Sequence, residues 1–268
     1  MEKYLKEAVT AAKAAGAIQK ENLDKCYKME FKGPSDIVTE VDVACEKAII
    51  SHLEKKFPDH SFLGEEGGET RPGSDHLWII DPLDGTTNFS HGYPRFCTSI
   101  GLSVEGELAV GVIYAPMTDE LFTAVRGGGA FRNGEAIKVS DTAEAKHALA
   151  CTGLSYQQGK ELLPLLDIYL RVLPRVQSMR RDGCAALDFC MVATGNFDLF
   201  WELTLNAWDV AAGALLVEEA GGKWSGLDGK PIDVFSKQML ATNGVLHDEI
   251  VRIINEEEPM FGLDWVCE

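Results

Sequence analysis

The sequence predicts a layered α/β sandwich with mixed sheets, and three observations carry that expectation. Helix-like and strand-like patterns fall into blocks instead of alternating evenly, which disfavours a single doubly wound sheet. The apolar run Leu77-Trp78-Ile79-Ile80 has the length of a buried strand. From Phe96 to Val139 short β-like runs follow one another as a meander. At 268 residues, 46% hydrophobic and 25% charged, the chain has ample material for a core.

Taken in order, the N-terminal segment places Leu5, Ala8, Val9 and Ala12 at helical spacing. It carries charges throughout and no long apolar stretch, so it does not read as a signal peptide. A second helix over 39–57 groups Cys45, Ala48, Ile49, His52, Leu53 and Phe57 on one face. Thr39 with Asp42 makes a capping-box pattern at its start, Asp standing where Glu or Gln is usual. A glycine-rich loop, Gly64-Glu65-Glu66-Gly67-Gly68, then precedes the apolar run. The meander breaks at Glu105-Gly106, between Pro116 and Asp119, at Gly127-Gly128-Gly129 and at Asn133-Gly134, the last a strong hairpin signal. Beyond it the pattern predicts a strand over 148–153, helices over 159–173 and 183–194, and a strand over 196–201. A strongly amphipathic helix follows over 207–220, with Trp208, Ala211, Ala212, Leu215 and Leu216 on its apolar face and Gly221-Gly222 as its stop. No repeat or low-complexity linker divides the chain. A short connection near Ser140 is expected to separate an N-terminal half, 1–140, from a C-terminal half, 141–268.

Twenty-five Lys and Arg against 42 Asp and Glu give a net charge of −17. No positive field exists to draw in a nucleic-acid backbone or an anionic membrane. No stretch approaches the roughly 18 apolar residues of a membrane span. The seven cysteines, Cys26, Cys45, Cys97, Cys151, Cys184, Cys190 and Cys267, show no Cys-x-x-Cys spacing. They read as reduced thiols of a cytoplasmic protein, giving neither a zinc site nor a disulfide framework.

The chemistry concentrates after the apolar run, in Asp81-Pro-Leu-Asp-Gly-Thr-Thr-Asn-Phe. Two carboxylates leaving the end of a strand can sit side by side with the Leu83 carbonyl between them. Gly85 lets the backbone approach a ligand, and the N–H groups of Gly85, Thr86 and Thr87 at a helix start can hold an anion. An isolated Asp-Gly is ordinarily a turn. Here the next β-like run begins only near Phe96, too far for a two-residue hairpin, and two carboxylates against Ile79 and Ile80 need a counter-charge that a metal ion supplies. Glu65 with Glu66, and Asp209 in the first turn of its helix, would each pass for ordinary surface acids if taken alone.

Together these segments closely resemble the inositol monophosphatase family, part of a lithium-sensitive, magnesium-dependent sugar-phosphatase superfamily that includes fructose-1,6-bisphosphatases. The resemblance rests on Asp36-Ile-Val-Thr-Glu-Val-Asp42, Gly64-Glu65-Glu66, the run from Asp81, Gly129-Ala-Phe-Arg-Asn-Gly, Arg181-Asp-Gly-Cys-Ala-Ala-Leu-Asp, Trp208-Asp209-Val-Ala-Ala-Gly and Glu219-Ala-Gly-Gly. It spans essentially the whole chain and implies an αβαβα sandwich. It further implies that Glu65, Asp81 and the Leu83 carbonyl hold one metal, that Asp81, Asp84 and Asp209 hold a second, and that Glu66 serves a weaker third site through water. Such oxygen ligands suit Mg2+, with Mn2+ as a substitute, two to three ions per site. By the same resemblance Thr86, oriented by Asp42, helps Glu65 position the attacking water, and no covalent intermediate forms. Gly85, Thr86 and Thr87 receive the phosphate, and Lys32 and Asp36 line the pocket. The family's sugar contacts fall on Gly183, Cys184, Ala185, Glu202 and Asn206. Cys184 replaces a Thr, and Asn206 a His, common in animal inositol monophosphatases. Arg180 and Arg181 are candidates for a second phosphate. The implied substrate is a small phosphorylated polyol or sugar, inositol monophosphate first and fructose 1,6-bisphosphate second, and the implied assembly is a homodimer. Two alternatives compete. An aspartyl-phosphate enzyme of the haloacid-dehalogenase type is disfavoured because its carboxylates are two apart, not three, and belong on the first strand. A non-catalytic partner protein on the same fold remains the alternative of a different class, since some bacterial relatives are linked to RNA-polymerase antitermination.

Overall fold

The computed structural model describes residues 1–23, 25, 28–31, 37–153 and 162–256. Two helices open the chain, α1 (Glu2–Asn22) and α2 (Glu40–Lys56), with the short pair β1 (Met29–Phe31) and β2 (Ile37–Thr39) between them. An eight-stranded sheet follows, made of β3 (Ser61–Gly64), β4 (Gly68–Thr70), β5 (His76–Asp84), β6 (Cys97–Val104), β7 (Glu107–Ala115), β8 (Glu120–Val125), β9 (Gly129–Arg132) and β10 (Glu135–Ala136). The five-residue helix α3 (Thr86–Ser90) interrupts it after β5. The second half contributes β11 (Leu149–Thr152), α4 (Leu163–Val172), β12 (Ser178–Arg180), α5 (Ala185–Ala193), β13 (Leu199–Glu202), α6 (Ala207–Glu219), β14 (Lys223–Ser225), β15 (Met239–Thr242) and α7 (His247–Ile254).

The large sheet runs β10-β9-β8-β7-β6-β5-β3-β4 and the smaller β12-β11-β13-β15-β14. Both are mixed: β3 lies parallel to β5, and β11 parallel to β12 and β13, while the remaining pairs are antiparallel. Strand alternation then assigns each side chain to a layer. Trp78, Ile80, Ile100, Leu102, Val110 and Val112 pack against Ala8, Ala11, Ala12, Ala15, Cys45 and Ile49 of α1 and α2. Ile79, Ile113 and Phe122 face the opposite way, into one continuous core with α5 and α6 and with Cys151, Phe200, Met239 and Ala241 of the smaller sheet. The outer face of that sheet, Ala150, Leu199, Trp201 and Leu240, is covered by α4 and α7. The layer order is αβαβα, as expected.

Most expected elements form near their expected limits. Thr39 caps α2 and Asp42 closes the capping box. Asn133 and Gly134 both adopt positive φ, +52° and +82°, the backbone a two-residue hairpin turn requires. The start of the helix expected over 159–173 lies outside the described residues, and α4 forms its remainder. The helix expected to be amphipathic is not. In α6 every residue from Val210 to Val217 is buried, because the helix lies between two sheets and has no solvent side.

Buried His247 accepts and donates within the second half, its Nε2 at 2.9 Å from Ser225 Oγ and its Nδ1 at 3.0 Å from Thr242 Oγ1. Burial, reinforced by Lys223 and opposed by Asp248, lowers its pKa from 6.5 to about 4. Between those values the unfolded chain binds the proton and the folded one does not, so this residue's contribution to stability is lost as pH falls from about 6.5 to about 4. The gap in urea midpoint between the protein and His247→Gln is therefore expected to shrink across that window. A gap that widens on acidification would contradict the neutral, hydrogen-bonded imidazole.

Candidate active site

The site begins with an irregularity in β5. Its pairing with β6 runs from His76↔Val104 to Asp81↔Ser99 and resumes at Asp84↔Cys97. Three steps on β5 thus match two on β6, a one-residue bulge at Pro82-Leu83. In an unbroken strand residues three apart face opposite sides. The extra residue returns Asp84 to the side of Asp81, toward α5 and α6. Pro82 has no N–H to withdraw from the ladder, and its carbonyl accepts Gln19 Nε2 at 2.8 Å and Thr98 Oγ1 at 3.1 Å. Leu83 anchors in the α1–α2 core. The carboxylates expected beyond the strand end therefore lie within the strand, with Gly85 following in the left-handed conformation at φ +90°.

Two helix starts meet this strand, each carrying an Asp at its third position. Asp42 Oδ2 accepts the Thr39 N–H at 2.9 Å and Asp209 Oδ2 accepts the Asn206 N–H at 2.7 Å. One oxygen of each closes a capping box. Beyond the caps both reach the site: Asp42 Oδ1 lies 2.8 Å from Thr86 Oγ1, and Asp209 lines the same cavity as Asp81 and Asp84. Thr86 Oγ1 is also 2.9 Å from the Leu83 carbonyl, and its single proton serves one of these acceptors at a time. The depth of α6 is set by Gly101 and Gly111. A Cβ on the first would stand 2.7 Å from Ala211 Cβ, and on the second 2.8 Å from the Ala212 carbonyl oxygen.

Glu65 and Glu66 occupy the turn between β3 and β4, with the Glu65 N–H on the Ile80 carbonyl at 3.2 Å. Behind them sits Glu46, a buried carboxylate of α2 that the sequence reading passes over. Its Oε2 accepts the Glu66 N–H at 2.9 Å. It fills the space left by two glycines, since a Cβ on Gly64 or Gly67 would lie 2.2 or 2.8 Å from its oxygens. The signal was available: Glu46 follows Cys45 and precedes Ile49 on the inward stripe of α2, where an acid without a purpose is costly. Arg95 was missed likewise. It reaches across the two halves to Asp182 at 3.0 Å and buried Asp188 at 3.4 Å.

A cavity of about 180 Å³ gathers these parts. Glu65, Asp81, Leu83, Asp84, Gly85, Thr86, Thr87 and Asp209 line it on one side, and Gly183, Cys184, Ala185, Glu202, Asn206 and Arg181 on the other. Asp42 stands behind Thr86, and Glu66 is outside the lining, its backbone tied to Glu46. Lys32 and Asp36 lie outside the described residues. Arg180 turns back onto Ser178 Oγ and the Met179 carbonyl. Glu202 sits over Gly153, where no Cβ fits, and burial with Asp209, Asp188 and Asp84 nearby pushes it up to about 8.

Electrostatics tests whether a cation fits. Asp81 is 2% exposed and its carboxyl is held well above the usual range by burial and then by Glu65, Asp84 and Asp209, every one of them negative. Burial likewise raises Asp84, against N–H donation from Ala186, the Cys184 thiol and the Arg95 charge. All-oxygen donors around an unbalanced negative charge are what a hard divalent cation requires. Divalent cation at about 100 times its Kd is expected to raise the melting temperature by about 5–10 °C. Asp81→Asn should be at least as stable as the parent without metal, because repulsion is relieved, and should lose most of that shift in the same thermal scan. Glu46→Ala is expected to weaken cation binding by about 10- to 100-fold in calorimetry. Glu46→Gln, which keeps an acceptor for the Glu66 N–H, should restore most of it.

Comparison with known proteins places this geometry. A profile described as the inositol monophosphatase family matches residues 1–258. Inositol monophosphatase 2 of Solanum lycopersicum is 44% identical over 265 residues, covering 96% of this chain and 100% of the relative. A fructose-1,6-bisphosphatase/inositol-1-monophosphatase of Aquifex aeolicus is 42% identical over 94% of this chain and 96% of the relative. The crystal structure of the extragenic suppressor protein suhB from Bartonella henselae superposes with a TM-score of 0.91 at 38% identity, covering 95% of this chain and 99% of that one.

Proposed function

The chain belongs to the inositol monophosphatase family and is a phosphatase, and from that premise we propose that it hydrolyses the phosphate monoester of a small polyol, inositol 1-phosphate first. The observation that carries this reading is the gathering of buried Asp81 and Asp84 with half-buried Asp209 and Glu65 in one cavity, where burial and then Glu65, Asp84 and Asp209 raise the Asp81 carboxyl. Glu65, Asp81 and the Leu83 carbonyl would hold one Mg2+, and Asp81, Asp84 and Asp209 a second. Glu66 would act through water on a third, and Mn2+ would substitute. When bound, these cations acidify a water and neutralise charge gathering on the phosphoryl oxygens.

The chain's own residues do the rest. Thr86 donates its hydroxyl proton to Asp42 Oδ1, which leaves its oxygen as an acceptor for a water proton. Glu65, across the same cavity, orients that water and receives its proton. Gly85 brings the backbone close, so that the amides of 85–87 meet the phosphoryl oxygens without a side chain intervening. Glu202, held near neutrality, binds a substrate hydroxyl as donor or acceptor, and Asn206 contributes at the start of α6. In this division residues 1–140 hold cations and phosphate, while 141–268 recognise the alcohol and lend Asp209.

A second substrate class, fructose 1,6-bisphosphate, is supported by Arg181, which lines the cavity and opposes the rise of the Glu202 pKa. In this second reading Arg181 would contact the second phosphate. The proposed setting is a homodimer in the cytoplasm, sensitive to lithium; no helix among the described residues is long and apolar enough to cross a membrane.

Phosphate release from inositol 1-phosphate, fructose 1,6-bisphosphate and adenosine 3′,5′-bisphosphate, each with Mg2+ or chelator, tests the reading. Activity is expected only with Mg2+, greatest on inositol 1-phosphate, and reduced by roughly a thousandfold or more in Asp84→Asn. Phosphate ligands should bind only after the cation. Equal binding to metal-free protein, or cation binding without turnover of any ester, would favour the non-catalytic partner role.

A further inference from the structure

Cys97 pairs with Asp84 across the bulged end of β5, and Cys184 is the residue that starts α5. Though 87 positions apart in sequence, their sulfurs lie 3.6 Å from each other. Cys184 Sγ is 3.2 Å from Asp84 Oδ2 and 3.5 Å from the Asp84 carbonyl oxygen. All three side chains are buried, and one donor atom from each falls within 4.8 Å of the others.

Those separations match a particular coordination. Metal–sulfur bonds of about 2.3 Å and metal–oxygen bonds of about 2.1 Å in a tetrahedron set sulfur atoms about 3.8 Å apart and sulfur from oxygen about 3.6 Å apart. The observed 3.6 and 3.2 Å are within a few tenths of an ångström of them. Ala186 N–H, 2.6 Å from Asp84 Oδ2, holds that oxygen toward the sulfurs. Access is provided as well. Cys184 lines the cavity, so a cation drawn in by the carboxylates meets its sulfur first, with the Cys97 sulfur 3.6 Å behind it.

We propose that Asp84, Cys97 and Cys184 form a second cation site, selective for thiophilic divalent ions such as Zn2+ and Cd2+. Its occupation withdraws Asp84 from the oxygen-ligated set and inhibits hydrolysis. The selectivity follows from the donors, since thiolate sulfur is a poor ligand for Mg2+ and a strong one for Zn2+ and Cd2+. On binding, each thiol releases its proton to solvent and forms one metal–sulfur bond, and the carboxylate replaces a water on the ion. The inhibitory half rests on the reading that Asp84 belongs to the hydrolytic cation set, whereas the site itself does not.

Cd2+ titrated into metal-free protein and followed by ultraviolet sulfur-to-metal charge transfer tests the site without substrate. A saturable band is expected in the parent. In Cys97→Ser and, as a second packing solution, Cys97→Ala, the band should fall and Cd2+ affinity drop by at least about tenfold. Both variants should keep the parent's Mg2+-dependent rate, while the Zn2+ or Cd2+ concentration that halves activity at fixed Mg2+ rises by a similar factor. No band in the parent, or a band that survives unchanged in both variants, overturns the site. Inhibition of unchanged sensitivity in variants that have lost the band overturns the link to Asp84.

Discussion

One extra residue in β5 decides which way Asp84 points, and the rest of the site is arranged around that decision. Without the bulge at Pro82-Leu83, Asp84 would face α1 and α2, in the company of Trp78 and Ile80, where its charge would meet only hydrocarbon. With it, two carboxylates from one strand share a side, and Leu83 is directed to the opposite core instead. The bulge is held from behind by Gln19, fully buried in α1, whose amide nitrogen reaches both the Pro82 carbonyl and Thr98 Oγ1. The first helix of the chain thus acts on the chemistry through one hydrogen bond to a backbone oxygen.

The opposite wall depends on how closely a helix can lie on a sheet. α6 sits against β6 and β7 at Gly101 and Gly111, where no side chain intervenes, and against α5 at Gly213, whose missing Cβ accommodates the Phe189 ring. That approach delivers Asp209 into the cavity that Asp81 and Asp84 line. Repulsion among these buried acids opposes folding, and the apolar burial on both faces of α6 offsets it. The fold thereby holds these carboxyl groups in place by itself, so the proposed cation set would need little reorganisation on binding.

Sequence periodicity revealed the layers, the meander and the helix starts because each of these is a local pattern of two or 3.6 residues. The ligand candidates were legible for a different reason: their order and spacing resemble a family, and Asp81, Asp84, Glu65 and Asp209 do line one cavity. What stayed hidden depends on contacts between distant segments. The bulge exists only relative to β6, and the amphipathic reading of α6 failed because a second sheet covers the face expected to meet water. Glu46 looked like any helical acid until Gly64 and Gly67 were placed beside it. The cysteines read as scattered, and nothing in their numbering brings Cys97 to Cys184.

Asp42 and Asp209 close the capping boxes of α2 and α6 with one oxygen, while Asp42 also accepts the Thr86 hydroxyl and Asp209 lines the cavity. In the proposed mechanism the same two residues therefore serve both the chemistry and the helix starts. A descendant that abandoned hydrolysis but kept the architecture could not discard them freely, since alanine at either position would open a capping box and leave the N–H of Thr39 or Asn206 without its acceptor. Its evolutionary trace would be substitution by other capping side chains, Asn or Glu, at positions 42 and 209.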